Sequence, residues 1–230
     1  MRLSEVESPD VLVAKKNRGV GEYCWTLSSV LTHFVLTKNP EIEMLSYLDS
    51  DLYFYMDPKP IYDEMMRKSI GIIRHNHAPK LRYMEKRAGI YNVAMVLFRN
   101  DPNGLECLAV WREQCLNWCY NRLEDGKFGD QMYLDEWPTR YQGVQVIQHK
   151  GADVAPWNVT GYSVTESKGT IFVNAQPLIF YHFHSLKYFG IGNVQYHSYT
   201  YAISKEVHRW IYDQYLSDMD DVMKDVYRVY

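Results

Sequence analysis

The sequence is poor in cysteine, contains no long apolar run and carries no excess of basic residues. None of its four cysteines forms a CxxC pair, and Cys107, Cys115 and Cys119 fall on one helical face. That spacing indicates reduced thiols in the core of a cytosolic protein. No stretch is apolar enough to span a bilayer, and the N-terminus MRLSEVESPDVL lacks the apolar segment of a signal peptide. We therefore expect a cytoplasmic protein without a transmembrane segment.

The charge balance argues against two classes of partner. With a net charge of −3, the chain offers no electrostatic reason to expect nucleic acid or an anionic membrane. Its 230 residues, 47% of them apolar, are typical of a globular protein with a sizeable core. The 20 tyrosines and 6 tryptophans can line a carbohydrate site, but they can equally fill a core. The sequon at Asn158 has no secretion signal beside it, so we expect it to carry no glycan.

Short apolar runs alternate with amphipathic segments through the first two thirds of the chain, which predicts an α/β sheet with helices on both faces. Because the runs Met44–Leu48 and Tyr91–Phe98 are apolar on both faces, we predict a mostly parallel sheet with these two strands at its centre. Further strands are predicted at Ser69–His75 and within VQVIQH, TIFVN and PLIFYHFH. Helices are predicted at Glu22–Thr37, from Asp57 onwards, at Asp101–Leu123 and at Gly129–Trp137, with a loop at Asn76–Gly89.

The end of the chain has a different pattern. Apolar residues recur at helical spacing from Ser204 to Tyr230 and predict an amphipathic helix with Val207, Ile211, Tyr215, Met219, Val222 and Val226 on one side. We therefore predict a main domain over residues 1–200 and an appended helix over residues 201–230.

Two carboxylates follow the first predicted strand, in the segment MLSYLDSDLYFYMDPKP. Ligands of open α/β sheets bind beyond the carboxyl ends of the strands, which is where Asp49 and Asp51 lie. Carboxylates one residue apart repel each other unless a cation joins them, so one of the two should have a raised pKa without metal. Acidic oxygen ligands suit Mg²⁺ or Mn²⁺. An ordinary surface turn is the alternative interpretation.

The surroundings of this pair resemble the D-x-D motif of GT-A glycosyltransferases, in particular the YLDADxxxxxDxxxL segment of the clan of glycogenin and bacterial galactosyltransferases. The resemblance implies a GT-A-like, Rossmann-like fold. It also implies that Asp49, Ser50 and Asp51 bind the nucleotide diphosphate of a sugar donor, with both aspartates on Mn²⁺ or Mg²⁺. Asp57 matches the later aspartate, which caps a helix in that clan.

Two further segments follow in the order of the same clan. GIYNVAMVLFR resembles its FNAGVLLIN strand, so that Asn92 would approach the donor sugar, although Ala94 stands where glycine is usual. FGDQMYLDEW resembles its DQDxLN segment, so that Asp130 and Gln131 would lie beside the donor sugar and contribute to catalysis. Without the resemblance, Asn92 would be expected to bond backbone at a strand start and Asp130 to lie near a helix cap.

A third segment, IFYHFHSLKYFG, resembles HFxGxxKPW, in which histidine is a metal ligand and lysine meets the diphosphate. His182 matches the ligand, and Lys187 would bind the diphosphate although it comes one residue early. His184 shares a strand face with His182 because side chains alternate along a strand, so either histidine could bind the metal.

The resemblance implies a metal-dependent, retaining transferase of the hexosyltransferase type, with a nucleotide-diphospho-sugar donor and a glycan or lipid-linked acceptor. The acceptor is expected at His149 to Val159, where Trp157 could stack on a sugar or simply anchor the loop. Because only 48 residues precede Asp49, the base-binding unit usual in GT-A enzymes is expected to be missing. Three other functions remain open: a sugar-nucleotide nucleotidyltransferase, an aspartate-nucleophile phosphatase, and a truncated, inactive carbohydrate- or nucleotide-binding protein.

Overall fold

The computed structural model describes residues 2–196 and 201–229, with side chains up to residue 226. It is a mixed α/β structure that divides into two compact units. The first unit comprises Met1–Asp49, Ile61–His75 and Tyr83–Gln148, and the second comprises Ser50–Pro60, Asn76–Arg82 and His149–Tyr230.

The elements are numbered in chain order. The strands are β1 (Met44–Leu48), β2 (Leu52–Phe54), β3 (Ile70–Arg74), β4 (Tyr91–Arg99), β5 (Val144–Val146), β6 (Val164–Ser167), β7 (Thr170–Val173), β8 (Gln176–Pro177), β9 (Phe180–His182), β10 (Lys187–Gly190) and β11 (Asn193–Gln195). The α-helices are α1 (Pro9–Asn17), α2 (Val20–Lys38), α3 (Lys59–Met65), α4 (Glu85–Ala88), α5 (Pro102–Asn117), α6 (Trp137–Arg140), α7 (Lys205–Val207) and α8 (Asp213–Val229). Short 3-10 turns occur at Leu3–Glu5, Pro79–Met84, Met132–Glu136 and Val159–Gly161, and a π-helical segment at His208–Tyr212.

The sheet of the first unit is mixed, which corrects the prediction of a mostly parallel sheet. Its strand order is β1-β4-β3-β5. The pairs β1–β4 and β3–β4 are antiparallel, and β3–β5 is parallel. An apolar run indicates that a strand is buried but not which way its neighbour runs, so the pattern could not reveal the direction. Strand β4 is central and buried along most of its length, whereas β1 ends the strand order and leaves Leu48 42% exposed.

Helices α2 and α5 form where the sequence predicts helices, and local signals explain α5 in particular. Asp101 accepts a hydrogen bond from the Gly104 N–H (2.9 Å) and Pro102 occupies the first turn, as is usual at helix starts. The helix ends at Asn117, six residues before the predicted end. The predicted core thiols Cys107, Cys115 and Cys119 are all buried.

One predicted loop contains regular structure. Within Asn76–Gly89, Pro79–Met84 form a 3-10 helix and Glu85–Ala88 a single α-helical turn. Helices this short bury no complete apolar stripe, so they leave no periodic signal in the sequence. The segment Gly129–Trp137 also differs from prediction, because it forms a 3-10 turn followed by α6 rather than one α-helix.

In the second unit, strand β9 lies between two neighbours. It pairs with β2 in the antiparallel direction, and Tyr181 forms a parallel bridge with Val154 on its other side. Strands β6, β7 and β8 form an antiparallel meander, and β10 and β11 a hairpin. The sequence missed β2, β6, β10 and β11, which are too short to give a clear alternating pattern.

The amphipathic tail forms as predicted over its described residues, as α7, the π-helical segment and α8, while Tyr230 lies outside them. Ile211 and Tyr212 are buried beside Phe183, and Tyr215 stacks on Phe183 at 4.0 Å. No helix of the described ranges has the length and apolar character needed to cross a bilayer. Cytoplasmic localisation and the division into residues 1–200 and 201–230 stay predictions.

Gly151 should tolerate no side chain, because its backbone lies directly against the Pro177–Ile179 segment of the second unit. A Cβ at Gly151 would overlap the Pro177 carbonyl oxygen and lie 3.0 Å from the Ile179 nitrogen. We expect Gly151→Ala to lower the free energy of unfolding by about 3 kcal/mol, as overpacking does. The measurement is denaturant unfolding of the variant beside Gly161→Ala, where the new Cβ would meet its nearest neighbour at 3.4 Å. Equal stability of the two variants would contradict this prediction.

Candidate metal site

Three of the predicted ligands come together. Asp49, Asp51 and His182 each offer one ligand atom, and these atoms all lie within 4.8 Å of one another. Asp49 and Asp51 are neighbours in the chain, separated only by Ser50. Among the residues that the structure describes, His184 does not join this group.

The pairing of β2 with β9 explains why Asp51 meets a histidine far along the chain. Leu52 lies opposite His182 in the antiparallel register, and the Phe183 N–H donates to the Asp51 carbonyl oxygen at 2.8 Å. Asp51 therefore stands at the end of the ladder, with its Oδ1 3.1 Å from His182 Nε2. Backbone hydrogen bonds thus hold one side of the candidate site.

A third carboxylate, Asp153, faces the other ring nitrogen of His182. Its Oδ1 lies 3.6 Å from Nδ1, and its side chain is wholly buried. The backbone next to it runs along β9, since the His182 N–H donates to the Val154 carbonyl oxygen at 2.8 Å. The His182 side chain, which is 6% exposed, thus lies between Asp51 on one neighbouring segment and Asp153 on the other.

These two carboxylates determine the charge of the histidine. Burial lowers the pKa of His182, but Asp153 and Asp51 outweigh it and raise that pKa to about 10. Partial burial raises the pKa of Asp51, yet its hydrogen bond and attraction to His182 lower it overall. Repulsion by Asp49 alone would predict the opposite shift for Asp51. Without a metal ion, the imidazolium therefore balances the two carboxylates, and metal binding by His182 would release its proton.

Asp153 was missed by sequence reasoning, although a signal was available. It lies in KGADVAPWNV, a stretch that is otherwise apolar around it. A carboxylate in such a run is buried only when it has a charged or hydrogen-bonding partner, so its presence predicts one. The sequence could not reveal that the partner is His182.

Trp157 lies beside the histidines rather than on the surface. Its ring centroid is 5.1 Å from that of His182 and 5.4 Å from that of His184, in edge-to-face geometry. Trp157 is 6% exposed, which leaves little of its ring for stacking on a sugar. Its contacts favour the alternative interpretation of a loop anchor, and acceptor binding at Trp157 stays a prediction.

In the first unit, Asp49 and Asp130 are held by hydroxyl donors. The Tyr47 hydroxyl donates to Asp49 Oδ1 (2.8 Å), and the Ser28 hydroxyl donates to Asp130 Oδ2 (2.8 Å). Asp130 is buried, and burial together with repulsion from Asp49 raises its pKa to about 7 although Ser28 opposes the shift. Asp130 is thus a carboxyl group whose charge changes near neutral pH.

The remaining predicted residues are distributed over both units. Asn92 is buried on β4 opposite Ile73, and the Gln131 amide donates to the Ala88 carbonyl oxygen. In the second unit, Ser50 is exposed in the turn before β2, and Lys187 is exposed on β10. Their roles toward a donor stay predictions.

Two other features of the second unit bear on the sequence interpretation. Asn158 is fully buried and its side chain bonds the backbone of Asp153 and Ala155, so it is not accessible as a glycan acceptor. A groove of about 540 Å³ is lined by Tyr162, Trp210 and their neighbours, and Val159 alone represents the predicted acceptor segment in it.

The ligand atoms of the candidate site are of a kind that binds divalent metals. Two carboxylates and an imidazole are oxygen and nitrogen ligands that suit a divalent metal, and a second carboxylate behind a ligating histidine is common at metal sites. Asp49, Asp51 and His182 could therefore hold such an ion, with Asp153 supporting the histidine. The residues present fit a metal site.

No protein-family model matches the chain. The chain is similar to two proteins of Bacillus subtilis (strain 168). It is 34% identical to the first, the uncharacterized protein YfnD, and the match covers 80% of this chain and 60% of that protein. It is 32% identical to the uncharacterized protein YfnF over 84% of this chain and 66% of that protein. The chain thus spans less than two thirds of the length of these curated relatives. Among solved structures it is similar to mouse xyloside xylosyltransferase 1 in its apo form, with 18% identity, a TM-score of 0.40, and coverage of 76% of this chain and 70% of that one.

Proposed function

We propose that this chain is a metal-dependent glycosyltransferase, or the metal-holding part of one, that uses a nucleotide-diphospho-sugar donor. The observation that carries the proposal is the meeting of the D-x-D carboxylates with His182, a residue far away in the sequence. The three residues that the clan resemblance assigned to one ion offer ligand atoms within 4.8 Å of one another, as ligands of a shared ion would. The ordered resemblance of the four segments supports the same function.

Each residue has a proposed role. Asp49, Asp51 and His182 hold the ion, for which Mn²⁺ is the best match, because Ca²⁺ prefers shells made only of oxygen. An ion held by these residues would supply positive charge to the diphosphate leaving group. Lys187 would add positive charge to the diphosphate, while Asn92, Asp130 and Gln131 would hold the donor sugar. By the resemblance, the transfer retains the configuration at the anomeric carbon.

The test is whether a nucleoside diphosphate binds only together with the metal. UDP, GDP, ADP and CDP are titrated into the protein by calorimetry, with Mn²⁺ or with EDTA. We expect at least one of them to bind at least about 10-fold more tightly with Mn²⁺, since an ion held by the protein carboxylates would also attract phosphate oxygens. The matching monophosphate, which lacks the second phosphate, should gain much less.

The outcomes separate the proposal from its rivals. Equal affinity with Mn²⁺ and EDTA for all four nucleotides would overturn metal-dependent donor binding. Binding with Mn²⁺ but no hydrolysis or transfer of any sugar from the matching nucleotide-sugars would identify an inactive binding protein of the same kind. When turnover occurs, proton NMR of the released sugar shows directly whether the first-formed anomer retains the donor configuration.

A further inference from the structure

Burial of the Asp153 carboxylate would by itself be unfavourable. A carboxylate with a wholly buried side chain must be compensated by charge or hydrogen bonds. Its Oδ1 faces His182 Nδ1 at 3.6 Å, on the side of the ring opposite to Nε2, which Asp51 approaches at 3.1 Å. Each nitrogen of the His182 imidazole thus faces a different carboxylate.

The backbone around Asp153 is built to hold it there. Asp153 has a left-handed backbone conformation (φ 54°), which is uncommon outside glycine and is tolerated best by Asn and Asp. The Asn158 side chain donates to the Asp153 carbonyl oxygen (2.9 Å) and accepts from the Ala155 N–H (2.9 Å). Constrained conformations of this kind persist where the surroundings over-determine them, often at functional sites.

We propose that Asp153 is a positioning residue that orients His182 for metal binding. An imidazole presents one nitrogen to a metal, and the group that binds the other nitrogen decides which one and fixes the ring plane. Asp153 holds Nδ1, so that Nε2 faces Asp51 and the remaining ligand. This inference rests on the proposed function, because it requires that His182 bind the ion.

The test compares Mn²⁺ affinity in Asp153→Asn with that of the unsubstituted chain. Asparagine keeps the volume of the side chain but removes its charge, so we expect Mn²⁺ binding to weaken by 10- to 100-fold, the usual effect of outer-shell partners. The Mn²⁺ EPR spectrum of the bound ion should broaden or change its splitting, because the ligand ring is less well oriented. Melting temperatures measured in EDTA report the fold independently of the metal.

Asp213→Asn is the matched control. Asp213 Oδ1 lies 3.4 Å from His208 Nδ1, which is the same kind of contact outside the candidate ligand group. The same substitution there should leave Mn²⁺ affinity and the EPR spectrum unchanged.

A double-mutant cycle shows whether Asp153 acts through His182. In a His182→Ala background, Asp153→Asn should produce no further loss of Mn²⁺ affinity, because the ring it orients is gone. An equal loss in both backgrounds, or unchanged affinity in Asp153→Asn alone, would overturn the positioning role while leaving the proposed function standing. A chain that binds no Mn²⁺ even without substitution overturns both. Should Asp153→Asn not fold, Asp153→Glu tests the same point, because the longer side chain misplaces the carboxylate without removing it.

Discussion

Replacing Asp51 by asparagine is expected to weaken Mn²⁺ binding by more than about 100-fold. Changing a partner behind a ligand costs 10- to 100-fold in metal affinity, so loss of a charged direct ligand should cost more. The fold should persist, since the Asp51 side chain is 43% exposed and its backbone, not its carboxylate, carries the hydrogen bond to Phe183. Calorimetric titration with Mn²⁺, together with circular dichroism of the metal-free protein, measures both parts.

The control for this prediction is Asp57→Asn. Asp57 lies a few residues further on, is exposed, and accepts a hydrogen bond from the Lys59 N–H (2.8 Å) at the start of α3. Asparagine caps helices about as well as aspartate, so neither metal affinity nor stability should change. If Asp51→Asn and Asp57→Asn bind Mn²⁺ equally well, the pair Asp49 and Asp51 is an ordinary turn and the metal site does not exist.

Replacing Asp130 by asparagine is expected to remove a pH-dependent loss of stability. The folded-state pKa of Asp130 is about 7, whereas an unfolded aspartate has a pKa of about 3.9. The folded state therefore holds the proton more tightly, and the stability linked to it is complete below pH 3.9 and is lost as pH rises through 7. Between pH 5 and 8 this loss amounts to roughly 2–3 kcal/mol at 1.36 kcal/mol per pKa unit.

Denaturant unfolding in EDTA at pH 5 and pH 8 measures the effect. We expect Asp130→Asn to gain stability relative to the unsubstituted chain between the two values, because its amide stays neutral at both. Ser28→Ala should deepen the loss, since it removes the hydroxyl that stabilises the ionised carboxylate. A difference between Asp130→Asn and the parent that stays constant from pH 5 to 8 would show that Asp130 is ionised throughout.

Asp49 and Asp51 illustrate which properties of a residue a sequence motif can predict and which it cannot. The segment LDSDL indicated that Asp49 and Asp51 would lie at the end of β1, and they do. It also led to the expectation that the two would raise a pKa by repelling each other. For Asp51 the pKa is lowered, because His182 lies 3.1 Å away. A pKa depends on every charge nearby in space, and the sequence shows only those nearby in the chain.

For the predicted catalytic and donor-binding residues, too, the sequence indicated their local position but not their contacts with distant segments. Asn92, Asp130 and Gln131 lie on or beside the elements that the sequence predicted, but hydrogen bonds to Ser28 and Ala88 engage Asp130 and Gln131. These contacts join segments that are distant in the chain, so they could not be predicted from the sequence. Their part in donor binding therefore stays a prediction, whereas their place in the fold is established by the structure.

The sequence by itself determined the local features of this protein. Helical periodicity located α2 and α5, the apolar run located β4, and the spacing of Cys107, Cys115 and Cys119 indicated buried thiols. Such features depend on residues within a few positions of each other, where propensity, capping and periodicity act.

Only the tertiary structure decided the direction of the strands and the composition of the candidate site. The register of β2 on β9 brings Asp51 to one nitrogen of His182, and the bridge at Val154 brings Asp153 to the other. Strand partners are selected by packing and by hydrogen bonds between distant segments, and one residue of slip would turn each side chain to the opposite face. The candidate group of ligands forms because three segments meet in one register, which no short stretch of the sequence encodes.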